Sequence, residues 1–227
     1  MISTAGTPHL KSFSENRFVQ VSLGLYVAVW IWAAISPVER SDWLLENLLV
    51  LAGMIFAVWA FRARVLSDVS VMLVIIFLVF HTIGSHYTYS LVPFGEWLKD
   101  AAGFERNHYD RIIHFGFGLL ITYPVRELLL RRNIAVARWA GFSAFTVIAT
   151  SSGVYELIEW LAAVIVAPDL GNAFLGTQGD EFDSQKDHAL ALAGSLIALA
   201  VTRFAEKLSA KRAGASPEAA HARALHT

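Results

Sequence analysis

Six stretches of the chain stay apolar for long enough to suggest helices that cross a bilayer, each of which needs about 20 mainly apolar residues. They run from about Phe18 to Ile35, Leu44 to Phe61, Val69 to Gly84, Ile112 to Leu130, Trp139 to Ala167 and His188 to Phe204. Pro37 closes the first, and the fifth is long enough to tilt. The third and sixth are the shortest. The pattern predicts an all-α polytopic membrane protein, a bundle of about six transmembrane helices. Residues 1–208 form that domain, and 209–227 form a tail, disordered or a short helix, rich in Ala with Gly214, Ser216 and Pro217. The first stretch reads as a retained anchor: a cut after Ala33 or Ala34 would place Ile31 or Trp32 where a signal peptidase wants a small residue.

Charge between the stretches sets an expected orientation. Cytoplasmic loops are enriched in Lys and Arg. Of the 18 such residues, 13 fall in the two termini and in the second-to-third and fourth-to-fifth connections, leaving Arg40, Lys99, Arg106, Arg111 and Lys186 on the other side. Both termini are therefore expected in the cytoplasm, with the chain in the inner (plasma) membrane. Composition agrees. The 227 residues are 56% hydrophobic and 16% charged, against roughly 45–50% and about 25% in soluble proteins. A net charge of -1 without a basic stripe gives no case for nucleic acid. The absence of Cys excludes disulfides, thiolate metal sites and Cys nucleophiles.

Three polar motifs stand out, all in the second half and all on the expected outer side. NHYDRIIHF spans Asn107 to Phe115, YELIEW spans Tyr155 to Trp160, and GTQGDEFDSQKDH spans Gly176 to His188. Asp110 and His114 are four apart, Glu156 and Glu159 three apart, and Asp183 and Asp187 four apart, so each pair shares a helix face. If the three helices are neighbours, these edges converge. Glu159 lies about 12 Å along a helix from Ala167, within the outer half of the hydrocarbon layer. A carboxylate there costs at least about 2.5 kcal/mol on insertion scales, so it demands a partner, a proton or water.

The expected roles follow from residue type. His114, Glu156, Glu159 and Asp110 are the candidates for acid–base catalysis. Arg111, His108, Gln178, Asp180 and Gln185 are the candidates for holding a substrate. Asp183 and Asp187 are the candidate metal ligands, and a carboxylate-rich site suits Mg, Mn or Ca as the cofactor. The plainer readings are solvated loops and helix caps for the Asp residues, and helix-joining polar networks for the Glu pair. His81 and His86 read as interfacial residues, and Trp43 and Trp97 as an interfacial belt. No P-loop, HExxH or GxSxG pattern is present.

The motifs NHYDRIIHF, YELIEW and FLGTQGDEFDSQKD, the last followed by an Ala/Gly-rich helix, resemble those of the YjdF-type bacterial inner-membrane family, a domain of unknown function. The resemblance runs from the first helix to about Phe204. A looser one is to VanZ-like membrane proteins, through Arg111 to His114, Glu156 or Glu159, and Asp183 to Asp187 ahead of Gly194. VanZ-like proteins imply a connection with the cell envelope. Neither resemblance implies a known reaction. Three readings therefore stand. One is a protein that binds or modifies an envelope lipid or headgroup at an outward-facing acidic and imidazole pocket. The others are a proton-coupled carrier titrating Glu156 and Glu159, and an accessory protein whose polar networks only join helices. Membrane lipids are the expected partners.

Overall fold

The structure, a computed structural model, describes residues 15–62, 65–166 and 178–212. Every regular element among them is helical. In chain order these are α1 (Arg17–Ala34), α2 (Arg40–Arg62), α3 (Asp68–His86), α4 (Pro93–Ala102), α5 (Tyr109–Arg131), α6 (Ala137–Val166) and α7 (Asp183–Arg212). Among the described residues, α1, α3, α5 and α7 are long and apolar enough to cross a membrane by length and composition. The other two expected spans are present as helices of 23 and 30 residues, α2 and α6. A count of six needs both of them to cross.

The boundaries depart from the hydropathy reading in three places. The last helix opens at Asp183, so Asp183 and Asp187 are its first-turn and second-turn residues. It also runs on to Arg212, past the expected domain end at 208; residues 213–227 lie outside the described part, as do Ala167 and the opening Gly176 and Thr177 of the third motif. The third departure is α4, a short amphipathic helix in what the hydropathy pattern leaves as a loop. Pro93 stands in its first turn and Gly103 ends it in a left-handed conformation, φ 69°, the usual proline-in, glycine-out punctuation.

Polar ties at both ends hold the helices in register. At the end away from the motifs, Asn16 caps α1 by accepting from Val19 N–H at 3.2 Å and donates to Asp68 of α3 at 2.5 Å. There too Glu127 of α5 accepts from the Ser67 and Ser70 hydroxyls at 2.9 and 2.5 Å. At the motif end, His86 Nδ1 lies 2.9 Å from the Ala33 carbonyl and Val38 N–H donates to the His86 carbonyl at 3.0 Å.

Helix α5 is the centre of the bundle, packed on α3, α6 and most closely on α7. The α5–α7 pair is parallel and advances four residues at a time on both sides. His114, Gly118 and Thr122 face Asp187, Ala191 and Ser195. Thr122 Oγ1 donates to Ser195 Oγ at 2.8 Å. A Cβ on Gly118 would fall on the Ala191 carbonyl oxygen, and one on Gly194 would fall on the Phe115 carbonyl oxygen. Without a hydrophobic drive between helices in lipid, small residues that let backbones touch are what hold such a pair together. This contact sets the height at which His114 meets Asp187.

Candidate functional site

The N-terminus of α5 is fixed before any functional side chain is placed. Asn107, almost fully buried, accepts from Tyr109 N–H at 3.0 Å and donates to the Val92 carbonyl and to Glu96 at 3.1 and 3.0 Å. Its own backbone is clasped by the Gln178 side chain, which accepts from Asn107 N–H at 3.0 Å and donates to its carbonyl at 2.9 Å. Gln178 was expected to hold substrate; its amide is instead committed to this clasp. Gln185, also expected at the substrate, is exposed on α7.

Above this clasp lies a charged cluster. Arg106 grips Asp183 with both terminal nitrogens, and Arg111 pairs with Asp180 and with Asp183, the latter at 3.2 Å. Lys186 closes on Asp180 at 2.6 Å. The Lys186 bond, ahead of its bonds with Phe182 N–H and Arg111, holds the Asp180 carboxyl down to about 2. His108, the residue before α5, has its imidazole pushed below the usual range by burial first and then by Arg111 and Arg106. Two expectations change here. Arg111, expected to hold a substrate, has both neighbouring carboxylates as partners. Asp183, assigned to a metal, already faces two guanidinium groups, and that neutralises the charge a cation would need.

One layer deeper, the expected acid and imidazole edges do converge. His114 Nε2 lies 3.5 Å from Asp110 and its Nδ1 lies 3.4 Å from Glu156. Ligand-capable atoms of Asp110, His114 and Asp187 lie within 4.8 Å of one another, and so do those of His114, Glu156 and Glu159. His114 belongs to both groups and joins α5 to α6 and α7.

The other wall comes from the first half of the chain, where no site residue was expected. Glu46 of α2, 7% exposed, accepts from Tyr155 OH at 2.8 Å and from Tyr89 OH at 3.4 Å. Tyr89 OH also meets His81 Nδ1 at 2.6 Å. His81, read above as interfacial, is buried, and so are His86 and Trp43; Trp97 does lie exposed. Tyr89 reaches inward from a turn in which Thr88 and Tyr89 both hold positive φ, 52° and 51°, an arrangement bulky residues rarely adopt and that costs about 1–3 kcal/mol each. The ring fits because residue 84 is glycine: a Cβ there would come 2.5 Å from the Tyr89 ring. Glu46 was legible by the argument used for Glu159, since it too is a carboxylate inside an apolar stretch. His81 and Tyr89 carried no such signal.

Between α1, α2, α3, α5 and α6 lies a cavity of about 850 Å³. His81, Tyr89, Asp110, His114 and Tyr155 line one end, and below them the walls are apolar apart from Ser151 and Ser152 of α6, with Phe117, Ile121, Val125 and Leu128 along α5. From Asp110 to Leu128 the lining follows α5 for about 27 Å, close to the roughly 30 Å of a hydrocarbon core.

Comparisons with known proteins agree on family. A family model described as "Predicted membrane protein (DUF2238)" matches residues 18–207. The chain is 33% identical over 169 residues to "Inner membrane protein YjdF" of Escherichia coli (strain K12), covering 74% of this chain and 80% of that protein. No solved structure matches.

Proposed function

The chain belongs to the DUF2238 family of predicted membrane proteins and is a multi-pass protein of the inner membrane, and from that premise we propose that it binds an envelope lipid and acts on its headgroup. The lipid's apolar chain lies along α5 in the cavity. Its headgroup meets Asp110 and His114 at the end of the cavity, with Glu156 and Glu159 beside His114, on the non-cytoplasmic side. The observation that carries this reading is the form of the cavity: a long apolar slot that ends at titratable groups. Ligand sites in general combine mostly apolar walls with a few convergent polar groups.

Glu159 takes the general acid–base role in this reading. It adjoins His114 and Glu156, and a carboxylate held among apolar helices is the kind of group that exchanges a proton with a bound headgroup. His114 is oriented between Asp110 and Glu156. Arg106 and Arg111, tied to Asp180 and Asp183, stiffen the mouth. A carrier would need polar groups along a path through the midplane. Among the described residues, no acidic or basic side chain lines the cavity below His114, which favours a one-sided site.

The test is a comparison of total lipids from cells lacking the protein and cells restored with wild type or with Glu159→Gln. The expected result is a lipid species that changes on deletion, returns with wild type and stays changed with E159Q at equal membrane levels. Unchanged lipids on deletion, or full restoration by E159Q, would defeat the proposal.

A further inference from the structure

The carboxylates around His114 outnumber the cations available to them. Asp110, Asp187, Glu156 and Glu159 stand together, while Arg106 and Arg111 are turned to Asp180 and Asp183. Asp187 is 2% exposed, and its Oδ1 is buried without a hydrogen-bond partner, while Asp110 and His114 of α5 offer ligand atoms within 4.8 Å of Asp187's own. Glu156 Oε1 is also buried and close to His114 Nδ1, but without the geometry of a hydrogen bond. A buried carboxylate oxygen with nothing to accept from loses far more than an ordinary hydrogen bond.

We propose that Asp110, His114 and Asp187 form a divalent-cation site, with Glu156 as a positioning residue behind His114. The two Asp residues offer one oxygen each, and His114 offers Nε2, the nitrogen on the Asp110 side. Nδ1 is then the protonated nitrogen and donates to Glu156, the carboxylate–histidine arrangement that fixes tautomer and ring orientation at metal sites. Two carboxylates with one imidazole and no thiolate suit Mn²⁺ or Mg²⁺. The three ligands come from α5 and α7, the pair locked by Gly118 and Gly194, so a cation needs only side-chain rotation to close the site. One face of the ion would be turned to the polar end of the cavity, which Asp110 and His114 also line. The site stands whether or not a lipid fills the cavity. Asp183, one turn earlier on α7, is not part of it.

Mn²⁺ is a suitable probe, because its binding is read without any activity. Purified full-length protein, stripped with chelator, is titrated with Mn²⁺ and followed by electron paramagnetic resonance. The expected result is one tightly held ion per chain with ¹⁴N coupling from His114, seen on wild type alone and so independent of any variant's folding. Asp187→Asn should abolish that binding. Glu156→Gln should weaken it about 10–100-fold, and Glu181→Gln, on the exposed surface, should leave it unchanged. Failure of folded wild type to retain Mn²⁺, bound Mn²⁺ without ¹⁴N coupling, or wild-type affinity in D187N would each overturn the proposal.

Discussion

Glu46 illustrates what a single buried carboxylate asks of its neighbours. It collects Tyr155 and Tyr89, with His81 Nε2 3.8 Å away. Glu46→Gln keeps an acceptor oxygen for Tyr155, whereas Glu46→Ala strands the Tyr155 hydroxyl at about 1–3 kcal/mol, while Tyr89 keeps His81. The E46A protein should therefore melt several degrees below E46Q in the same detergent; equal melting would mean that the hydroxyl finds another partner. The mouth makes a prediction about pH. Asp180 titrates below its ordinary 3.8, at about 2, so its stabilising contribution is complete above 3.8 and disappears as pH falls towards 2. The difference in melting temperature between wild type and Asp180→Asn should then hold constant from pH 8 to pH 5 and shrink only below about pH 4. A gap that closes between pH 7 and 5 would show that another group controls the mouth.

At the scale of elements, the α5–α7 contact holds the site at its height. Gly118→Ala places a methyl on the Ala191 carbonyl, and overpacking of this kind costs about 1–3 kcal/mol. Gly116, on the same helix, has open space around it, so Gly116→Ala should leave the melting temperature near wild type while G118A lowers it clearly. Equal effects would remove the close contact from the account. The long helices follow from apolar runs, because lipid requires them. The shared faces of Asp110 with His114, Glu156 with Glu159 and Asp183 with Asp187 followed from four-residue and three-residue spacing. Spacing does not say which helix each face meets. That is why Tyr89 went unnoticed and His81 was read as interfacial, and why Gln178 and Arg111, read as ligand-binding, turn out to be held by their own neighbours. Helix α4 escaped because ten residues with Glu96, Lys99 and Asp100 among them look like a solvated loop. Trp43 looked like a belt residue, but it is buried and packs at a tilt beside Trp30, with ring centroids 5.7 Å apart.

For the whole molecule, orientation and occupancy decide how the His114 cluster meets its ligand. The basic asymmetry predicts that a reporter active only outside the cytoplasm stays silent when fused after Leu208. Strong activity there would place the His114 cluster on the cytoplasmic side. Occupancy bears on the central claim, that a lipid chain lies in the cavity with its head at His114. Native mass spectrometry of the protein released from detergent reads it directly. Wild type should retain one lipid that survives the activation that strips loosely held ones. Ile121→Trp fills the slot and should lose that lipid, while Val201→Trp, on the exposed face of α7, should keep it. Retention in I121W equal to wild type, or no retained lipid in any of the three, would contradict the account.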